Sequence, residues 1–435
     1  MPLASVVKDL ASVASSKGAM IVFGLGKAMI IARYLGPELN GVITALLVYP
    51  TLFMTFGALG VRKSSAFLIG SGQFGEEDVK AGVLQAWLVS TLFSVVSIFI
   101  LIYYLSNGSH QPLIIFLAIA PVPFSLLNTY LSGIYLGNNQ IAEYNKVEWV
   151  PTFILFLATV VLVVFAGLSL KGALIAELLA PFLMSVLLIS RMRVQKYLSL
   201  RINRQLLGSL FSLGMAFAVS LLVINLNYRV DVIIMDWLSN KFEIGIYSKG
   251  SVLSQYLWQI PMLLGTIVFA RGARATDRRV FSLKVTQLLR ISLLIIGSGC
   301  VVLALGARLI IMILFGSEFL PSAEVMLWLM PGVLLLTIFK VLNMDMGGQG
   351  KPWFALKSMV PALGLNIVLN ILLIPRYGAV GAAFTSTLSY SLGGILFLYQ
   401  YSSATGISIR EIFAYSREDF AFLDPYIKKI KNRLG

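Results

Sequence analysis

The sequence holds few groups that could carry metal or nucleophilic chemistry. Its 435 residues include one cysteine, Cys300, and one histidine, His110. A lone cysteine cannot form a disulfide within the chain, and Cys300 in an apolar run is expected to be a buried, inert thiol. Zinc sites and Ser-His or Cys-His nucleophiles need more such residues. No Walker motif and no paired loop carboxylates are present, so we expect neither an enzyme nor a bound metal or cofactor.

Charged residues are also scarce. They make up 12% of the chain, against about 25% in soluble domains, while hydrophobic residues make up 58%. A helix that spans a bilayer needs about 20 mostly apolar residues, and twelve stretches meet that requirement. Their centres are near Leu25, Val48, Val95, Leu117, Val160, Ala180, Leu221, Leu257, Ile296, Leu334, Val368 and Leu392. The sequence therefore predicts an all-α polytopic membrane protein with about 12 transmembrane helices.

The basic residues are unevenly distributed between the gaps. Twenty-four of the 34 Lys and Arg fall in every second gap, and six lie inside or at the rims of the apolar stretches. The opposite gaps hold four, Lys171, Lys241, Arg308 and Arg376. Cytoplasmic loops carry such an excess of Lys and Arg, so the pattern predicts that both termini are cytoplasmic. It also explains the net charge of +15 without a nucleic-acid partner.

Landmarks recur in the two halves of the chain. The pairs are Gly41 with Gly245, Gly137 with Gly348, Pro151 with Pro361, and Gly172 with Gly381. Such internal similarity is common in secondary transporters. It predicts six-helix bundles at 1–190 and 208–402, related by a pseudo-two-fold axis along the membrane normal. Residues 191–207 would form a basic cytoplasmic linker, and 403–435 a basic cytoplasmic tail.

The cations inside the predicted spans are the candidates for function. A charge at mid-membrane costs at least about 2.5–3.5 kcal/mol and usually faces a partner or a wet cavity. Two of the six, Arg290 and Arg33, lie near the rims, and we expect Arg290 to reach the cytoplasmic surface. The predicted cavity residues are Lys27, Arg229, Lys249 and Lys340, with the polar Asn225 and Gln255. The alternative, that these side chains only join helices, stays open.

Three acidic residues accompany these cations as candidates for ion coupling or for pairing. Glu177 is best interpreted as a structural partner of a cation. Asp231 follows Arg229 by only two residues, a spacing that does not make the two face each other on a helix. Asp236 is expected on the same helix face as Asn225 and Arg229, because the three residues fall at i, i+4 and i+11.

Several short motifs carry a resemblance to a known family. The first is Ala32-Arg33-Tyr34-Leu35-Gly36-Pro37-Glu38 with Gly41, and the second is Leu314-Phe315-Gly316 with Glu318-Phe319. The third comprises Asn366, Asn370, Ile374-Pro375, Gly378, Val380-Gly381-Ala382-Ala383 and Thr385. In order and spacing the chain resembles the polysaccharide or O-antigen flippases of the multidrug/oligosaccharidyl-lipid/polysaccharide exporter superfamily.

This resemblance implies two six-helix bundles around a V-shaped cavity and transport by alternating access. The implied cargo is an undecaprenyl-pyrophosphate-linked oligosaccharide, moved to the outer leaflet of the bacterial inner membrane. A polysaccharide polymerase and chain-length proteins are the implied partners, and antiport is the implied mode of coupling. The motif residues are packing and turn positions, so the candidate site depends on the charges instead.

Two kinds of alternative remain. Within the superfamily, a lipid II flippase would have two further helices, and a multidrug exporter would need acidic groups where the first span has Lys27. A membrane polysaccharide polymerase or glycosyltransferase usually has a large outer loop with catalytic groups. The longest outer gap here, near Arg308–Pro321, contains little more than Arg308 and Glu318.

Overall fold

A computed structural model describes residues 3–107, 111–138, 140–192, 203–259, 277–416 and 419. All regular elements within these ranges are helices. The first half contains α1 (Leu3–Phe56), α2 (Val61–Ser71), α3 (Glu76–Leu105), α4 (Pro112–Ile119), α5 (Pro121–Gly137), α6 (Ile141–Glu148), α7 (Val150–Thr159), a π-helix (Val160–Phe165) and α8 (Ser169–Met192).

The second half begins with α9, which follows the predicted linker. Its helices are α9 (Arg204–Asn227), α10 (Val230–Leu238), α11 (Lys241–Tyr256), α12 (Arg278–Leu305), α13 (Ala307–Phe315), α14 (Ser322–Gly348), α15 (Leu356–Thr405) and α16 (Ile409–Ile412). Short 3₁₀ turns cover Ser317–Phe319 and Pro352–Ala355.

Nine helical segments in the described residues are long and apolar enough to cross a membrane. Two of them, Ser15–Gly70 and Pro352–Thr405, are far longer than one crossing. Each is interrupted by a glycine with non-helical geometry, at Gly36 (φ 69°) and at Gly378 (φ 53°). Glycine adopts such positive φ angles without a Cβ clash, so each long segment consists of two helices joined at a kink. The twelve-span count and the two-bundle repeat stay predictions.

The spans differ in how much of their surface is inside the protein. In α14, 67% of the apolar window is buried, whereas in α3 the figure is 22%. The outward face of α3 exposes Leu88, Val89, Leu92 and Val96. A helix that is apolar on all sides suits either a core or a lipid surface, so α14 forms a central element and α3 a peripheral one.

The two halves meet through a reciprocal pair of glycine contacts. Gly41 of α1 lies directly on the backbone carbonyl of Lys241, and Gly245 of α11 lies directly on that of Pro37. In each case the carbonyl belongs to the residue four positions before the other glycine. A Cβ at either position would overlap the opposite backbone. The two glycines therefore allow α1 and α11 to approach each other backbone to backbone.

Candidate functional site

A cavity of about 410 Å³ lies between the two halves of the chain. Its walls come from α1, α4, α5, α7 and α8 in the first half and from residues 228–256 in the second half. Of the predicted site residues, the lining includes Lys27, Glu177, Arg229, Lys249 and Gln255. Three cations and one carboxylate give the wall a formal excess of two positive charges. Charges of one sign in a cleft with low-dielectric walls focus the electric field on counter-ions.

Lys27 on α1 forms an ion pair with Glu177 on α8. Both side chains remain about one-fifth exposed to the cavity, at 21% and 22%. The neighbouring glycines allow close packing here, since a Cβ on Gly24 would be 3.0 Å from the Tyr256 hydroxyl. The structure thus places Glu177, one of the three candidate acids, against a cation. Lys27 is therefore partly neutralised, although it still faces the cavity.

Arg229 enters the cavity because the helix is broken at Tyr228 and Arg229. Helix α9 ends at Asn227, and Arg229 has φ −133° before α10 begins at Val230. The buried Asn227 anchors the break, since its amide donates to the carbonyls of Val223 (3.1 Å) and Met359 (3.0 Å). Within the described chain the half-buried Arg229 side chain forms no hydrogen bond or ion pair.

This break makes one sequence-based prediction wrong. Asn225, Arg229 and Asp236 do not share a helix face, because the helical register is interrupted between the first and the last of them. The Asn225 amide donates to Leu221 O of its own helix at 2.7 Å, and neither Asn225 nor Asp236 is among the cavity-lining residues. Only Arg229 of the three faces the cavity.

Lys249 and Gln255 line the cavity from α11. Lys249 is buried, with 7% of its surface exposed, and its ammonium lies 5.7 Å from the Phe315 ring centroid. No carboxylate within the described residues forms an ion pair with it. Gln255 donates from Nε2 to Ser251 Oγ at 2.8 Å, so its amide oxygen is available for another donor.

Lys340 lies behind the cavity wall and is not among the lining residues. Its ammonium is 4.1 Å from the Trp258 ring centroid and 4.4 Å from that of Tyr228. Tyr390 completes this cluster, with its ring centroid 5.8 Å from each of the other two. A desolvated cation over aromatic faces gains about 2 kcal/mol. Lys340 therefore supports Tyr228, which does face the cavity.

Asp231 and Asp236 have separate environments outside the cavity. Asp231 is fully buried and accepts hydrogen bonds from the hydroxyls of Tyr247 and Ser386, the latter at 3.0 Å. Asp236 pairs with Lys241 and accepts from Ser106 Oγ at 3.1 Å and from Asn107 N at 2.9 Å. Asp236 thus joins α10 to the end of α3, while Asp231 joins α10 to α11 and α15.

Arg290 contradicts the expectation that it reaches the membrane surface. It is buried at 8% exposure and forms a bidentate pair with Asp419, with distances of 2.8 and 2.7 Å. Its guanidinium also donates to Ile412 O at 3.0 Å. The sequence could not reveal this partner, since 129 residues separate the two. The remainder of the predicted basic tail, 420–435, and most of the predicted linker, 193–202, lie outside the described residues.

The sequence reasoning missed several polar cavity residues. Thr44 and Thr51 of α1 and Tyr228, Tyr247 and Tyr256 of the second half all line the cavity. The threonine hydroxyls donate to carbonyls four residues earlier, to Asn40 O and Leu47 O. The signal that could have identified them is the recurrence of Asn40, Thr44 and Thr51 on one face of an otherwise apolar span. Within the described part of the chain no group of three or more His, Cys, Asp or Glu could hold a metal ion.

Comparison with known proteins identifies the family. Residues 6–270 match the sequence profile of a family described as "Polysaccharide biosynthesis protein". The chain belongs to this family. This confirms, at the level of family, the resemblance to polysaccharide flippases found in the sequence.

Individual relatives agree with this assignment. The capsular polysaccharide biosynthesis protein CapF of Staphylococcus aureus is 23% identical over 393 residues, which cover 86% of this chain and 93% of CapF. The probable low-salt glycan biosynthesis flippase Agl15 of Haloferax volcanii is 30% identical over 98 residues, 22% of this chain and 21% of Agl15. The uncharacterized membrane protein MJ1068 of Methanocaldococcus jannaschii is 28% identical over 204 residues. This match covers 43% of the chain and 38% of MJ1068, so the chain spans well under two-thirds of MJ1068 and Agl15.

Solved structures share the fold. The lipid II flippase MurJ, in an inward closed conformation, superposes with a TM-score of 0.72 at 16% identity, covering 92% of this chain and 88% of MurJ. An inward-facing multidrug resistance transporter of the MATE family superposes with a TM-score of 0.74 at 13% identity, covering 90% of this chain and 96% of the transporter. At these identities the likeness concerns the fold alone. The chain is thus a multi-pass helical membrane protein that shares its fold with these two proteins.

Proposed function

We propose that this protein is a flippase for an undecaprenyl-pyrophosphate-linked oligosaccharide repeat unit. It would move this cargo from the cytoplasmic to the outer leaflet of the bacterial inner membrane by alternating access, with both termini in the cytoplasm. The observation that carries the proposal is the central cavity, in which Arg229 and Lys249 have no acidic partner within the described chain. Family membership supplies the glycan context.

The charge of the cavity favours an anionic cargo. Arg229 presents a planar guanidinium that suits bidentate binding of phosphate oxygens, whereas Lys249 presents a point charge. Gln255 and the nearby hydroxyls offer hydrogen bonds to sugars. Undecaprenyl pyrophosphate carries its charge on the diphosphate, so we place this group beside Arg229 and Lys249. The lipid tail would remain in the bilayer, between the halves.

Alternating access requires the two halves to separate at one end and close at the other. The division into bundles 1–190 and 208–402 with twelve spans is part of this proposal. The reciprocal contact of Gly41 with Lys241 and of Gly245 with Pro37 supports it, because the equivalent residue of each half makes the same contact. This contact would have to open to release the cargo on the outer side.

Among the three candidate acids, Asp231 is the one that we propose for ion coupling. Glu177 and Asp236 already have cationic partners, Lys27 and Lys241. Within the described ranges, the donors to Asp231 are all neutral: the hydroxyls of Tyr247 and Ser386 and the backbone of Val232. Gain or loss of a cation there would alter hydrogen bonds that connect α10 to α11 and α15.

Two other activities of the superfamily fit the fold. Lipid II also carries a diphosphate, so a lipid II flippase would use the same cations. Competition between lipid II and a lipid-linked oligosaccharide for binding would distinguish the two cargoes. A multidrug exporter for organic cations is disfavoured, because the one carboxylate of the cavity wall, Glu177, is already paired with Lys27. A polymerase and chain-length proteins are the partners that this function implies.

Replacement of Arg229 tests the proposal. We expect transport to decrease in the order wild type, Arg229→Lys and Arg229→Ala, because Lys keeps the charge but loses the bidentate geometry. The loss in Arg229→Ala should be on the order of tenfold, as for a hydrogen bond to a charged group. The measurement is the ratio of surface polysaccharide to lipid-linked repeat units retained on the cytoplasmic side, at equal protein abundance.

Arg308→Ala is the matched control, because Arg308 is exposed and lies outside the cavity. It should transport as well as wild type. If Arg229→Ala does the same, Arg229 does not contact the cargo. If deletion of the whole protein changes neither surface polysaccharide nor lipid-linked units, the proposed function is wrong.

A further inference from the structure

A second concave site lies at the start of α1, apart from the central cavity. It is a groove of about 500 Å³ between α1 and the junction of α6 with α7. Its walls include Ser16, Phe23, Asn145, Lys146 and Trp149, and it shares no lining residue with the central cavity. The loop charges place this end of the helices on the predicted cytoplasmic side.

Two polar groups in the wall of this groove have no partner. The Ser16 hydroxyl and the Asn145 side-chain nitrogen are both buried and make no hydrogen bond with the described chain. The residues themselves are only 4% and 7% exposed. Buried donors without partners are rare because each loses its hydration without compensation. Both residues line the groove, so a ligand with acceptor atoms that enters it would supply the missing partners.

The charges around the groove favour an anionic ligand. Lys17 and Glu148 form an ion pair across its rim at 2.8 Å, so they contribute no net charge. Lys146 is exposed, and its ammonium forms no ion pair within the described residues. The groove therefore has one unneutralised cation next to two unpaired donors, a combination suited to phosphate oxygens.

A row of aromatic rings leads from the groove along the seam between α1 and α7. Trp149, Phe153 and Phe156 fall at i, i+4 and i+7, so they lie on one helix face. The Phe23 ring packs against all three, with centroid distances of 6.2, 5.0 and 5.7 Å. Trp149 is fixed by a 2.9 Å hydrogen bond from its Nε1 to Lys146 O. Seven residues of helix extend about 10 Å, so the row leads towards the membrane interior.

We propose that this groove binds the headgroup of an anionic phospholipid from the cytoplasmic leaflet. The phosphate oxygens accept hydrogen bonds from Asn145 Nδ2, Ser16 Oγ and Lys146 Nζ, and an acyl chain lies along the aromatic row. Basic pockets between transmembrane helices on the cytoplasmic side are known to bind anionic headgroups. The bound lipid would cover the seam between α1 and α7, and thus stabilise the helix that carries Lys27. This site does not depend on the identity of the transported cargo.

The test measures phosphatidylglycerol binding to the purified full-length protein by native mass spectrometry. Phosphatidylcholine of the same chain length serves as the neutral reference. Lys146→Gln should weaken phosphatidylglycerol binding about fivefold, the effect of one basic residue near an anionic surface. Lys357→Gln is the matched control, because Lys357 is also exposed on the predicted cytoplasmic side but lies outside the groove. It should leave binding unchanged.

A second variant separates lipid binding from folding. Asn145→Leu replaces the unpartnered amide nitrogen by an apolar group with the same branching, so the protein should still fold in phosphatidylcholine nanodiscs. The rise in melting temperature that phosphatidylglycerol gives the wild type, by binding the folded state, should be absent in Asn145→Leu. Equal phosphatidylglycerol binding by wild type, Lys146→Gln and Asn145→Leu would overturn the proposal. So would displacement of bound lipid by polyprenyl diphosphate alone, which would assign the groove to the cargo.

Discussion

The central cavity and the polar cluster around Asp231 differ in the sign of their unpaired charge. In the cavity, Arg229 and Lys249 lack an acidic partner within the described chain. In the cluster, no described Lys or Arg forms an ion pair with Asp231, which accepts hydrogen bonds from Tyr247 and Ser386. Arg229 and Asp231 are only two residues apart, yet they do not form an ion pair.

This separation teaches that the chain keeps opposite charges apart at the place where they could neutralise each other. The helix break before Val230 directs Arg229 into the cavity, while Asp231 enters the first turn of α10 and turns towards α15. An ion pair between them would weaken the positive field of the cavity and leave Lys249 as its one cation without an acidic partner in the described chain. Unpaired buried charges are costly for folding; in the proposed function, the cargo supplies the missing negative charge.

The largest expected effect is on stability, at the buried ion pair between Arg290 and Asp419. In this pair, unlike in the cavity, the charges neutralise each other. Asp419→Ala removes the partner of the buried Arg290 and should lower the free energy of unfolding by about 3 kcal/mol or more. Arg290 holds the pKa of Asp419 below its ordinary value, chiefly by direct hydrogen bonding. The stabilisation is thus present above the ordinary Asp pKa of about 4 and is lost as pH falls through the lowered pKa. Thermal unfolding in detergent across this range measures it; equal pH profiles for variant and wild type would contradict the account.

A smaller effect on stability is expected at Asp231. Asp231→Ala leaves the Tyr247 and Ser386 hydroxyls without an acceptor and should cost about 2 kcal/mol. Asp231→Asn retains an acceptor and should cost less, yet it should abolish ion-coupled transport if Asp231 is the coupling site. Asp345→Asn is the matched control, because Asp345 is also fully buried and accepts from a tyrosine and a serine, Tyr401 and Ser282. Equal transport by the two Asn variants would remove Asp231 from the coupling proposal.

The smallest effect is expected at the ion pair within the cavity. Glu177→Gln frees Lys27 and raises the formal excess of positive charge from two to three. A partly exposed ion pair is worth up to about 1 kcal/mol, so affinity for a polyprenyl diphosphate should increase about two- to fivefold. Lys27→Gln should have the opposite effect. Isothermal titration at low and high salt would measure both, and a lower affinity in Glu177→Gln would show that the pair itself is needed.

Much of the fold could be predicted from the sequence because apolar length and loop charge act over whole segments. Such patterns predict the helical class. They also identify Lys27, Arg229 and Lys249 as candidates for the cavity, because these three charges interrupt apolar spans. For Glu177 the sequence indicated that the carboxylate needs a cationic partner, but it did not indicate that this partner is Lys27. The placement of Lys340 in an aromatic cluster was not predictable, since Tyr228, Trp258 and Tyr390 come from three distant parts of the chain.

The two errors have a common physical origin in tertiary structure. The face shared by Asn225, Arg229 and Asp236 was deduced from uninterrupted helical geometry, which fails once Tyr228 and Arg229 leave the helix. Arg290 was expected at the surface because its partner, Asp419, follows the last span by sequence but returns to α12 in space. Both depend on tertiary contacts that no local pattern encodes.

The central claim is that the unpaired cavity cations recognise a diphosphate, and binding measures it most directly. Affinities of the full-length protein in nanodiscs would be compared for a polyprenyl diphosphate and for the corresponding uncharged polyprenol. The wild type should prefer the diphosphate on the order of tenfold or more, and the double variant Arg229→Gln, Lys249→Gln should lose most of that preference. The control pair Lys171→Gln, Arg308→Gln, exposed and outside the cavity, should keep it. An undiminished preference in the Arg229→Gln, Lys249→Gln protein would contradict the account.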